Sequence, residues 1–172
     1  VMQELGLPGF EIRINHRKML SGLVALAGLK AEQESSVLVA IDKLDKIGLE
    51  GVRKEFEKRQ IDATKAEKLV EMMQLENAGL DLAQLQSLAT QSESLELALG
   101  ELDELFNHLR LAGLQESHYK MDLSLARGLS YYTGPIFETK VPELPHMGSV
   151  MGGGRYDGLV ELFSGRDVPA VG

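Results

Sequence analysis

The chain has 172 residues, 44% hydrophobic and 26% charged, and its 18 Lys and Arg against 26 Asp and Glu leave a net charge of −8. That length holds one domain or two small ones with apolar residues enough for a core. No apolar run approaches the roughly 18 residues of a membrane span, no run has the pattern of a signal peptide, and the lack of cysteine excludes disulfides and thiolate metal sites.

In chain order, Phe10, Ile12 and Ile14 alternate with Glu11 and Arg13, the period of a half-buried strand. Asn15 ends it. A helix is predicted over 17–29, with Leu20, Val24 and Ala27 on one face and Gly28 to stop it. Ser35 and Ser36 can cap the next helix, which carries Val37, Ala40, Ile41 and Leu44 and breaks at Gly48. The stretch 50–59 is dense in charge, with Val52 and Phe56 one helical turn apart. It reads as a solvated helix with a narrow buried stripe, or as a small basic patch of Arg53, Lys54, Lys58 and Arg59. Asp62 can cap a helix running to Gln74, and a short helix is predicted over 81–90. Ser92 or Ser94 starts the clearest helix, with Leu95, Leu99, Leu102, Phe106 and Leu109 as its stripe and Gly113 at its end.

After Gly113 the period changes from 3.6 to 2. Met121, Leu123 and Leu125 alternate with Asp122, Ser124 and Ala126, and Ile136 and Phe137 lie in a second strand. Residues 142–148 form a loop with two prolines. The run 149–155 is a third strand interrupted by three glycines, and Asp157 caps a short helix carrying Leu159, Val160, Leu162 and Phe163. These strands are joined too tightly for helical crossovers, so an antiparallel sheet is expected. The fold class is α+β, with a helical block of about a hundred residues inserted after the first strand.

The charge is uneven. Residues 42–71 hold eight Lys or Arg and eight Asp or Glu, whereas 72–118 hold eight acids and one arginine. The overall balance argues against a dedicated nucleic-acid module. His16, His108, His118 and His146 share no ligand spacing, so no metal site is expected.

Arg127 stands between a strand-like run and Gly128. Its planar, permanently charged fork suits a phosphate or carboxylate; a salt bridge to Asp122 or Glu138 is the equal alternative. Tyr131 and Tyr132 point in opposite directions if the backbone is extended. They are either a core aromatic pair or a pocket lining with a hydroxyl to offer. Gly152, Gly153 and Gly154 weaken a strand unless a ligand or another backbone comes close, or a bulge forms. They match neither a P-loop nor a dinucleotide fingerprint. Arg155 and Asp157 can pair or cap.

Taken together, LARGLSYYTGPIFE resembles the histidine-specific motif of histidyl-tRNA synthetases, close to RGLDYYTGxxFE. GGGRYDGLVELFSG followed by VPAVG resembles the glycine-rich strand and helix that lead into class II motif 3. FEIRINHRKML resembles the strand and helix after motif 2, and DKLDKIG the start of the helical insertion in the eukaryotic-like branch. The resemblance implies a partial antiparallel sheet of the class II catalytic domain with a helical insertion. It divides the chain into a catalytic-domain segment at 1–41, the insertion at 42–112 and the histidine-binding strands at 113–172. It further implies a ligase that activates histidine with ATP and Mg²⁺ and transfers it to tRNA(His), cytoplasmic and homodimeric in its full-length form.

On this resemblance Arg127 contacts the α-phosphate and the histidine carboxylate. Tyr131 and Tyr132 meet the imidazole, Gly153 and Gly154 floor the pocket, and the insertion lies near the acceptor stem, where Arg53, Lys54, Lys58 and Arg59 would meet tRNA. Ser130 stands where the family has Asp. Motif 1, motif 2 and the motif 3 arginine are not in the chain, which begins without Met and stops in mid-pattern. It is therefore expected to be a segment of a longer protein, to bind no cofactor tightly and to be inactive by itself. The alternative is a synthetase-like, non-catalytic regulatory subunit of histidine biosynthesis.

Overall fold

A computed structural model describes residues 2, 4, 6, 7, 9–74, 82–128 and 131–172, with the backbone alone at 82–84. Leu129 and Ser130, and therefore the Asp-to-Ser departure, lie outside the described residues. Strand β1 (Glu11–His16) leads directly into α1 (Arg17–Leu26), and α2 (Ala31–Ile41), α3 (Leu44–Lys58), α4 (Ala63–Gln74), α5 (Leu82–Ala89) and α6 (Glu93–Leu111) follow. Then come β2 (Tyr119–Met121), β3 (Pro135–Lys140), β4 (Ser149–Tyr156), the short α7 (Leu159–Ser164) and β5 (Ala170–Val171). The mixed α+β class read from the sequence is the one observed.

The five strands form one sheet in the order β2-β1-β3-β4-β5. The β1–β3, β3–β4 and β4–β5 pairs are antiparallel, but β1 and β2 run parallel, with Ile12 opposite Tyr119 and Ile14 opposite Met121. The sheet is thus mostly antiparallel, as expected, with the β1–β2 pair as the exception. The connection between β1 and β2 is the whole helical block, ample for the crossover that a parallel pair requires.

The alternating stretch after Gly113 is also not one strand. Regular pairing stops at Met121, and Asp122, Leu123, Leu125 and Ala126 are all buried. Asp122 turns the chain by accepting from the Ser124 amide at 2.9 Å and from its hydroxyl at 2.5 Å. An Asx turn thus replaces the ladder.

Helix α1 buries Met19, Leu20, Leu23 and Val24, and α6 buries Leu95, Ala98 and Leu102 against it. A methyl on Gly22 would come within 2.5 Å of the Leu95 side chain, so the two helices cross where only glycine fits. Val52 and Phe56 of α3 are buried in the same continuous core. Ser35 and Ser36 lie inside α2 rather than at its start, which follows Lys30; Glu32 and Glu34 in its first turn suit the positive end of the dipole. Gly48, with φ 65°, breaks α3 internally instead of ending α2. Strand β4 runs unbroken through its glycines. Asp157 does not cap α7, which starts after Gly158 without a side-chain cap. Among the described residues no helix is long and apolar enough to cross a membrane.

Candidate functional site

The two faces of the sheet differ in chemistry. Ile14 turns into the core with the helices, so by the pleat Glu11, Arg13 and Asn15 turn to the other face. Glu138 lies opposite Arg13 on one side and Gly152 on the other, which puts all three on that polar face. Arg13 donates to Glu11 and to Asp122, both at 3.0 Å, and the Lys120 ammonium lies 3.1 Å from Glu11.

Arg127 arrives over this face because the segment before it is anchored from below. The Asn15 amide donates to the carbonyls of Leu123 and Leu125 at 3.2 and 3.0 Å, and the Asp122 amide donates to the Ile14 carbonyl at 2.8 Å. Arg127 Nη1 then donates to Ser149 Oγ at 3.1 Å and lies 3.3 Å from Glu138 Oε1. Of the two carboxylates the sequence offered, Glu138 takes Arg127 and Asp122 takes Arg13. A Cβ on Gly152 would sit 2.7 Å from Arg127 Nη1, so glycine there lets the guanidinium lie close to the strand. Arg13, Asp45, Asp122, Arg127, Glu138 and Lys140 help to enclose a polar cleft of about 610 Å³.

Tyr131 and Tyr132 are not extended. Both amides reach the Gly128 carbonyl, at 3.2 and 3.1 Å, in a turn. Their rings meet edge to face with centroids 4.4 Å apart instead of diverging, because the turn removes the pleat. Tyr131 is 45% exposed. Tyr132 is half-buried against Gly128 and Gly154, and a Cβ on Gly154 would come 2.9 Å from its ring. Burial first, then the hydrogen bond with Tyr131, pushes the Tyr132 hydroxyl up to about 12. Gly152 and Gly154 thus share one face, under Arg127 and Tyr132 respectively. Gly153 turns to the other, where its Cβ would meet the Phe137 ring at 2.6 Å and the Gly172 backbone.

The tyrosine turn is tied to β4 by Thr133. Its amide donates to the Arg155 carbonyl at 2.9 Å and its hydroxyl to Asp157 Oδ2 at 2.9 Å, while Arg155 Nε holds Asp157 Oδ1 at 2.8 Å. Arg155 also approaches Glu101 of α6 at 3.8 Å, and Glu101 takes His16 Nε2 at 3.1 Å and Lys18 Nζ at 3.3 Å. Burial holds the His16 imidazole below its ordinary value, against the opposing pull of Glu101.

Arg53, Lys54 and Lys58 of α3, and Arg59 just after it, lie away from the lining of this cleft. Arg53 is held by Glu67 at 2.9 and 2.6 Å and by Glu50 at 2.6 Å, Lys58 by Glu55 at 3.2 Å and Arg59 by Glu55 at 2.5 Å. Only Lys54 of the four shows no such pair among the described residues. A larger cleft of about 1090 Å³ opens between α5, α6 and β2, lined by Leu99, Leu102, Phe106, Tyr119 and Met121 among others. It holds none of the predicted site residues, and Glu96, Asp103, Arg110, Glu116 and Lys120 add charge of both signs to its lining. Among the described residues no group of three His, Asp or Glu could hold a metal ion.

Sequence reasoning missed Asn15, Gly152 and Glu138 as parts of the site. Asn15 read as a strand end and Glu138 only as an alternative partner, since neither has meaning until β1, β3 and β4 lie side by side. The one usable signal was the acid in FE, two residues from Ile136 on the same strand face.

The family model described as histidyl-tRNA synthetase matches residues 1–172. A histidine–tRNA ligase of Aeropyrum pernix is 44% identical over 168 residues, covering 98% of this chain and 37% of that protein. A cytoplasmic histidine–tRNA ligase of Dictyostelium discoideum is 38% identical over 176 aligned positions, covering all of this chain and 36% of that protein. The crystal structure of the histidyl-tRNA synthetase from Nostoc superposes with a TM-score of 0.89 at 32% identity, covering 99% of this chain and 40% of that one. The chain thus spans well under half the length of the relatives it matches. With the matched family model running from the first residue to the last, this chain belongs to the histidyl-tRNA synthetase family.

Proposed function

We propose that these residues supply the part of a histidine–tRNA ligase that holds histidine and the reacting phosphate. One observation carries the reading: a half-exposed arginine and a pair of tyrosines stand side by side on a glycine-floored polar face, in a chain that matches the family throughout. In the whole ligase the histidine carboxylate attacks the α-phosphorus of ATP, the bond to pyrophosphate breaks, and histidyl-adenylate forms. A ribose hydroxyl of tRNA(His) then attacks the acyl carbon and AMP leaves.

Arg127 carries two parts of this. Its guanidinium binds the histidine carboxylate and stabilises the charge that builds on the α-phosphate, which costs no reorganisation because the group is already in place. Tyr131 and Tyr132 pack on the imidazole and offer a hydroxyl to its nitrogen, and Gly152 and Gly154, rather than Gly153 on the opposite face, keep side chains out of the pocket floor. Mg²⁺ enters with ATP as part of the substrate. The Dictyostelium relative's name supports a cytoplasmic enzyme, and the whole ligase is inferred to be a homodimer.

In the whole ligase, Arg127→Ala is expected to lower histidine-dependent ATP–pyrophosphate exchange by about 10²-fold. Tyr132→Phe is expected to raise the KM for histidine by roughly tenfold, the worth of one hydrogen bond. Absence of histidine-dependent exchange in the whole protein would sink the reading and favour the non-catalytic regulatory alternative. The 172 residues alone, about a third of the relatives' length, are expected to show no exchange. The weaker part of the proposal is a tRNA contact at Arg53, Lys54, Lys58 and Arg59, since carboxylates compete for three of these cations. Replacing all four should flatten the salt dependence of tRNA affinity by at most about 4 in slope, and an unchanged slope removes the patch from the interface.

A further inference from the structure

The Glu138 side chain is 7% exposed. A buried carboxylate is retained only where cations and hydrogen bonds compensate its lost hydration. Two cations do so here: Arg127 Nη1 lies 3.3 Å from Oε1 and Lys140 Nζ lies 3.6 Å from Oε2. Arg13, directly opposite on β1, is already committed to Glu11 and Asp122. Lys140 is steadied from the other side by Asp45 of α3. Gly152 across the ladder leaves open the space into which the Arg127 guanidinium settles.

The contacts of Arg127 are one-sided. Ser149 and Glu138 both take Nη1, while its Nε and Nη2 meet no partner among the described residues. A planar fork held by one amino group has a fixed plane and a fixed outward edge. That edge, Nε with Nη2, is the pair of donors that grips a carboxylate or phosphate with two parallel hydrogen bonds.

We propose that Glu138 is the positioning residue for Arg127: it holds Nη1 against the sheet and so aims the Nε–Nη2 edge at the substrate oxyanion. This rests on the reading of Arg127 as the oxyanion-binding residue. Glu138 touches no substrate in this arrangement; its contribution is the orientation of the arginine, bought before the reactants arrive.

The test has two readouts. In the whole ligase, Glu138→Gln should lower kcat of pyrophosphate exchange by about 10²-fold, the scale expected when a reacting group is misplaced by about an ångström. The KM for histidine should rise by about tenfold as well, since the misaimed Arg127 also loses its grip on the histidine carboxylate. Glu138→Asp, which keeps the charge and shortens the reach, should lose only about tenfold. In the chain of 172 residues, the guanidinium NMR signals of Arg127 should show slowed rotation about its Nε–Cζ bond in the native protein and free rotation in Glu138→Gln. Native-like rates in both Glu138 variants, or unchanged guanidinium rotation, would overturn the proposal. If Glu138→Gln fails to fold, Glu138→Asp decides by the same two readouts. If the native ligase shows no histidine-dependent exchange, the functional reading fails instead, and the guanidinium signals alone judge whether Glu138 orients Arg127.

Discussion

Two side chains have titrations that report their surroundings. The Tyr132 hydroxyl is held up to about 12 by burial and by its bond with Tyr131, with Arg127 pulling the other way. Tyrosinate absorbance should therefore keep rising to about pH 12, and Tyr132→Phe should remove that last step. Below the folded value the proton stays on, so between pH 10 and 12 the unfolded chain ionises first and stability falls as pH rises. His16 works in the opposite range. Its folded value is depressed below 6.5 by burial, while Glu101 favours and Lys18 and Arg155 disfavour its charged form. The unfolded chain then binds the proton first, so stability should fall as pH drops below 6.5. His16→Gln should flatten that part of a stability–pH curve, and a curve of unchanged slope would place the depression elsewhere.

At the scale of elements, Asn15 shows how a strand can hold a loop. Its amide satisfies two carbonyls of the segment that delivers Arg127, and it is fully buried. Asn15→Ala leaves those carbonyls unpaired and should cost about 2–3 kcal/mol in denaturant unfolding, with faster amide exchange confined mainly to 122–128. Helices α1, α4 and α6 were legible because a 3.6-residue stripe of large apolar groups has one way to be buried. The stretch 121–125 was not. Its alternation fits a strand, but Asp122 satisfies the backbone locally and the chain leaves the ladder at Met121. Likewise an extended backbone would send Tyr131 and Tyr132 to opposite sides, and a turn at Gly128 brings their rings together instead.

At the scale of the whole molecule, the helical block and the sheet share one core. Leu95 of α6 packs over Gly22 of α1 within that core. Leu95→Ala should cost about 3 kcal/mol, and the loss should shift helix content and tyrosine fluorescence together in urea. Separate transitions for the two signals would show that the block unfolds independently. Local patterns by themselves determined the α+β class, the amphipathic helices and the residue types of the candidate site, because burial periodicity and glycine demands act within a few residues. Only the tertiary structure decided the parallel β1–β2 pair, the partners of Arg13 and Arg127, and the shared face of Gly152 and Gly154 beneath Arg127 and Tyr132. Those depend on which distant strands lie side by side, and the energy that selects them comes from a core assembled across more than a hundred residues.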